Sequence, residues 1–129
     1  MRIVHSRIQH GVGQGSFHSA SIEVEVDNGR RYRYDYVYDC GALKGPAPTP
    51  TPALSRCIDR MDLTGRPDSR GRPVIDALVL SHYDRDHING AALLAAKFQV
   101  KRIFVPFLSP AELMLVIAAQ AEELTETEI

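Results

Sequence analysis

The run Val74-Ile75-Asp76-Ala77-Leu78-Val79-Leu80 constrains the chain most, because it is mostly apolar, of strand length, and bounded on both sides by turn-forming residues. Such a run reads as a buried strand of the kind found inside parallel sheets. Upstream, 64–73 is an irregular stretch rich in Gly, Arg and Pro. Downstream, a polar loop over 81–90 leads into a helix over 91–98 and a strand over 100–105. Strand, helix, strand predicts a βαβ unit, and hence a parallel pair within the sheet.

A second constraint comes from Ser21-Ile22-Glu23-Val24-Glu25-Val26, whose alternation puts Ile22, Val24 and Val26 on one face and Glu23 and Glu25 on the other. Asp27-Asn28-Gly29 supplies a turn, and Arg31 to Asp39 alternates again with Tyr32, Tyr34, Tyr36 and Tyr38 on one face. The pattern predicts an antiparallel hairpin of strands 16–26 and 31–39. The tyrosine row reads as a packed sheet face or as a base-stacking platform. Four prolines between Gly45 and Pro52 predict an extended surface loop over 45–52, followed by a short helix over 52–61. Ser109-Pro110-Ala111-Glu112 has the residues of a capping box and predicts a helix over 110–124, with the acidic stretch Glu122 to Glu128 as its fraying solvated end. The fold class is α/β, with 1–129 as one unit.

Fifteen basic against sixteen acidic side chains give a net charge of −1, so no overall basic field marks a nucleic-acid binder. Apolar residues at 44% and charged residues at 24% suffice for a packed core. Cys40 and Cys57 form no disulfide framework and no C-x-x-C pair, which predicts a reduced, cytoplasmic setting. The opening residues, Met1-Arg2-Ile3-Val4-His5-Ser6-Arg7, lack the apolar stretch of a secretory signal. Leu113 to Ala119 is too short to cross a bilayer, which takes roughly 20 apolar residues.

The chemistry concentrates in His82-Tyr83-Asp84-Arg85-Asp86-His87, two His and two Asp directly after the buried strand. Loops at the carboxyl ends of sheet strands converge on an open crevice, so these four side chains read as a metal-ligand loop. A polar turn with a helix-capping Asp is the plainer alternative. Arg85 is placed to meet a substrate phosphate or to stand solvated. Arg66, Arg70 and Arg72 form a local basic patch or an ordinary solvated loop.

The loop, followed by Ile88-Asn89-Gly90, resembles the H-x-H-x-D-H motif of metallo-β-lactamase-fold hydrolases, in the variant where the second His is Asp. That variant is typical of the hydrolase domain attached to competence-type DNA-uptake channels. Val12-Gly13-Gln14-Gly15 resembles the family's V-G-Q-G-D, and Tyr38-Asp39-Cys40-Gly41 its D-x-G, in the same order. The resemblance implies an αββα sandwich, of which 1–129 is the N-terminal half. It also implies His82 and Asp84 on a first metal, Asp86 and His87 on a second, and Asp39 supporting the loop from behind. The implied activity is two-metal phosphodiester or DNA cleavage by a metal-bridging hydroxide, with Zn²⁺ or Mn²⁺ as cofactor and Asp86 as a catalytic ligand whose loss lowers turnover by orders of magnitude. A lactamase or thioesterase fits less well, because Asp84 stands where those enzymes place His.

The chain departs from the pattern at Ser16, where the family often has Asp, and at Asn89, where it has Gly. The later His, Asp and His of the complete fold are absent, and His5, His10 and His18 lie upstream of where they belong. Gly13, Gly15 and Gly41 are read as backbone devices without chemistry. The expected partner is a second half of the fold, another chain completing the sandwich, or a second copy, with DNA or another phosphodiester as substrate. The competing reading is a truncated module that acts by protein association without catalysis.

Overall fold

The computed structural model describes residues 1–42, 51–61 and 67–128, with side chains described for all of these except Arg85 and 120–128. Residues 45–50 of the Pro-rich loop, Arg66, the Arg85 side chain and the side chains of the acidic end lie outside what is described.

Three long strands open the chain: β1 (Arg2–Gln9), β2 (Gly15–Glu25) and β3 (Arg31–Ala42). The β2–β3 hairpin follows the predicted alternation, with Ile22 opposite Tyr34 and Val24 opposite Tyr32 on one face. β1 is an addition to the sequence reading; it pairs antiparallel with β2 along its whole length and is exposed throughout. Helix α1 (Pro52–Arg60) starts where Thr51 accepts a hydrogen bond from the Leu54 amide and Pro52 takes the first turn.

The apolar run 74–80, expected to be one strand, is two: β4 (Val74–Ile75) and β5 (Ala77–Val79). Asp76 breaks it. Its amide donates to the Asp35 carbonyl at 2.8 Å, and its carboxylate accepts from the Asp35 amide at 2.8 Å, so the side chain takes over one backbone pairing position. After the polar segment, α2 (Arg85–Ile88) and α3 (Ala91–Lys97) precede β6 (Gln99–Val100) and β7 (Ile103–Phe104). The expected strand 100–105 is therefore also divided, β6 pairing parallel with β4 and β7 parallel with β5. The main sheet has the order β1-β2-β3-β5-β7, with β3 and β5 parallel, and the parallel pairing of β5 with β7 across α3 is the predicted βαβ connection. α4 (Pro110–Glu128) begins at the predicted capping box: the Glu112 amide donates to Ser109 Oγ, and the Ser109 amide donates to the Glu112 carboxylate at 2.8 Å.

The core lies on one face of the sheet, where Phe17, Val37, Cys40, Ile75 and Leu78 meet Leu54 and Ile58 of α1 and Leu94 of α3. Leu54 and Ile58 are one helical turn apart, so both reach the sheet from one stripe of α1; burying each contributes about 1.5–3 kcal/mol. Lys97 of α3 pairs with Asp59 of α1. The opposite face carries the tyrosine row, with Tyr32, Tyr34 and Tyr38 exposed, and α4 leaves Met114 and Leu115 exposed. Among the described residues, no helix is long and apolar enough to cross a membrane.

Candidate metal centre

Parallel pairing of β3 with β5 brings their carboxyl ends to one edge of the sheet, with Tyr38 beside Val79. Asp39 and the segment following β5 therefore meet there. Asp39 is the extra residue of a β-bulge: Phe17 faces Cys40 and His18 faces Tyr38, so Asp39 has no partner on β2. Its φ of 57° lies in the left-handed region, which Asp tolerates better than most residues because its short polar side chain bonds locally. The bulge re-aims that side chain toward the loop.

There the carboxylate is buried and saturated. Oδ1 accepts from the Ser81 amide at 2.7 Å, and Oδ2 accepts from the Ser81 hydroxyl at 2.6 Å and from His87 Nδ1 at 2.8 Å. Burial pushes the Asp39 carboxyl up, but the Ser81 bonds and the His87 ring outweigh it and hold the group below its ordinary value.

His82, Asp86 and His87 each offer a ligand atom, and all three atoms lie within 4.8 Å of one another. The two imidazoles are tilted at 49° with centroids 3.8 Å apart. Of the four residues expected to converge, Asp84 stands at the rim: its Oδ2 is 3.3 Å from His82 Nε2, but its side chain is 77% exposed. His87 Nε2 lies 3.5 Å from Asp86 Oδ2. Both nitrogen–carboxylate separations exceed the roughly 2.7–2.9 Å of a charge-assisted hydrogen bond. Potential ligand atoms of His82, Asp86 and His87 thus gather in one small cluster, with Asp84 beside it. Such a set of imidazole nitrogens and carboxylates suits Zn²⁺ or Mn²⁺.

The loop is also fixed through its backbone, and 81–90, expected to be loop throughout, contains the short helix α2. The Asn89 side chain accepts from the Ala42 amide at 2.9 Å and donates to the Ala42 carbonyl at 2.7 Å, so Asn where the resembled family has Gly adds two bonds to β3. The Gly90 amide donates to the Cys40 carbonyl, and Tyr83 Oη donates to the Pro106 carbonyl. Gly41 serves closeness of approach: a Cβ there would stand 2.5 Å from the Asp86 carbonyl carbon. Gly15 combines a φ of 149° with equally tight contact, since a Cβ there would collide with the Gly41 carbonyl oxygen and stand 2.9 Å from the Asp86 carbonyl oxygen.

The remaining histidines lie apart from this cluster. His5 contacts Tyr36 Oη, His18 contacts Gln9, and His10 stacks on Phe17 while its Nε2 lies 2.8 Å from Ser19 Oγ. Burial first, then the nearby His18, lowers the His10 pKa. Arg72 is tied to Asp68 and Gln99, which makes it part of the local framework of its loop. A surface depression of about 570 Å³ is lined by Arg2, Glu25 and Tyr32 among others, at the opposite end of β3 from Asp39. It is remote from the residues that carry chemistry. Sequence reasoning missed Ser81 and marked Asn89 only as a departure from the family pattern; the bonding role of each had no signal beyond position, one at each flank of the His–Asp run. No family model and no curated protein matches the chain.

Proposed function

We propose that the chain contributes a metal centre to a hydrolase of the metallo-β-lactamase fold, acting on phosphodiesters and resembling the competence-type branch. The observation that carries the reading is the focus formed by His82, Asp86 and His87 at the carboxyl end of β5, backed by the bond from His87 Nδ1 to Asp39. A buried carboxylate behind a ligating imidazole is a recurrent support of metal sites, since it orients the ring and makes its other nitrogen more basic. His82, Asp86 and His87 would hold one divalent cation, and Asp84 stands where it can join a second site completed from elsewhere in the fold. A bound cation there supplies Lewis-acid polarisation and activation of water near neutral pH. The chain's own residues fix the geometry: Asp39 holds His87, Tyr83 ties the segment to the strand exit after β7, and Asn89 ties it to β3. In this reading the exposed tyrosine face is the inner face of an αββα sandwich.

The test is a titration with Mn²⁺ and with Zn²⁺, followed by cleavage of DNA or a generic phosphodiester by the protein assembled with the other half of the sandwich. Metal-dependent cleavage that a chelator abolishes is the expected result. An assembled protein that binds neither metal ends this reading. An association module then takes its place, which the exposure of Tyr32, Tyr34 and Tyr38 favours.

A further inference from the structure

Ser81 Oγ lies between two groups of the centre, 2.6 Å from Asp39 Oδ2 and 2.8 Å from His82 Nδ1. A hydroxyl has one hydrogen to give, and an ionised carboxylate has none. At 2.6 Å the Ser81 hydrogen must point to Asp39, because the contact otherwise sets lone pair against lone pair. Ser81 can then only accept from His82, so His82 carries its proton on Nδ1. His87 obeys the same constraint, since its Nδ1 faces the Asp39 carboxylate at 2.8 Å. A neutral imidazole has one N–H. With both Nδ1 positions protonated, both Nε2 atoms keep a free lone pair, and these are the nitrogens that approach Asp84 and Asp86.

We infer that Ser81 is a positioning residue of the metal centre: its hydroxyl couples His82 to Asp39, so that one buried carboxylate sets the tautomer of both histidines and turns both Nε2 atoms toward the cation. The inference rests on the metal-centre reading and adds to it a residue that ligates nothing. Asp39 reaches His87 directly and His82 only through Ser81. The competing arrangement places the His82 proton on Nε2, directed at Asp84 3.3 Å away, and requires Ser81 to turn its hydrogen from Asp39 to His82.

The two arrangements are separable without metal. In the metal-free chain with ¹⁵N-labelled histidine, at a pH where the rings are neutral, long-range proton–nitrogen spectra report which ring nitrogen bears hydrogen; His82→Ala and His87→Ala variants assign the signals. The expected result is Nδ1–H for both His82 and His87. Ser81→Ala should free His82 to populate both tautomers while His87, still bonded to Asp39, keeps Nδ1–H. The backbone amide of residue 81 still reaches Asp39 in this variant, so the loop keeps its anchor. A second measurement follows Mn²⁺ and Zn²⁺ affinity, where Ser81→Ala should lose about 10- to 100-fold and Ser81→Thr should restore it. An Nε2–H signal for His82 in the unaltered chain overturns the inference, as does a Ser81→Ala variant with unchanged tautomer or unchanged affinity. If the unaltered assembled protein binds no metal while both tautomers are as expected, the metal-centre reading is what has failed.

Discussion

Gly41 lies so close to His87 that a methyl group on its α-carbon would stand 2.5 Å from the His87 backbone nitrogen. The neighbour is main chain on a segment pinned at Ala42 and Cys40, so it cannot yield as a flexible side chain does. Gly41→Ala should cost about 1–3 kcal/mol, the usual range for overpacking, and weaken Mn²⁺ binding by displacing α2. Gly11→Ala is the control, since a Cβ there meets nothing within 4 Å. Urea unfolding of the two variants checks the first expectation and calorimetric titration the second; equal stability would show that α2 slides freely over the hairpin.

Asp86 belongs to the three-residue focus and Asp84 to its rim, which separates two substitutions that look alike in sequence. Asp86→Ala should abolish binding at the focus while changing stability by less than about 1 kcal/mol, because a partly exposed loop carboxylate outside the core cluster adds little to the apolar core. Asp84→His should retain binding and shift preference from Mn²⁺ toward Zn²⁺, the softer ligand favouring the softer cation. Competition between the two metals, read by elemental analysis after dialysis, distinguishes the outcomes. Full Mn²⁺ binding by Asp86→Ala would remove Asp86 from the ligand set.

The His10 ring resists protonation in the fold, because burial and the neighbouring His18 both lower its pKa from 6.5. Its folded pKa lies below its unfolded one, so between the two values the unfolded chain holds more protons and stability falls as pH falls. The contribution is complete above pH 6.5 and declines below it. His10→Gln keeps a hydrogen-bonding group toward Ser19 without titrating. It should flatten the part of the stability profile just below pH 6.5, measured by urea midpoints across a pH series; an unchanged slope would assign it to other groups.

Of the two thiols, Cys40 is fully buried, and burial first, then the adjacent Asp39 charge, pushes its pKa up to about 12. Cys57 is half-buried on α1. Since the thiolate is the reactive form, a thiol reagent at neutral pH should modify Cys57 in the native protein and reach Cys40 only on unfolding. Mass spectrometry before and after denaturation tests this, and native labelling of Cys40 would mean that the sheet opens next to Asp39.

The hairpin was legible because residues 21–26 and 31–39 alternate strictly, and a strict period of two specifies register. β1 was not, since Arg2–Gln9 is an exposed edge whose polar and apolar residues face solvent alike. The break at Asp76 was hidden because one acidic residue in an apolar run has no periodicity; only its bonds to the Asp35 backbone reveal the role. At the site, His82, Asp86 and His87 were visible as a cluster and Asp39 through the resemblance. Ser81 was invisible, because a serine after a strand is ordinary until the carboxylate 42 positions away is known to meet it.

Four of the chain's five tyrosines stand on one face of β3, and the chain has no tryptophan. Its near-ultraviolet emission is therefore dominated by the uncovered side of the sheet. Whatever settles on that face, whether a second sheet or another protein, will alter tyrosine intensity and quenching by a soluble collider without any attached dye. The sheet thus carries an optical gauge of whatever covers it.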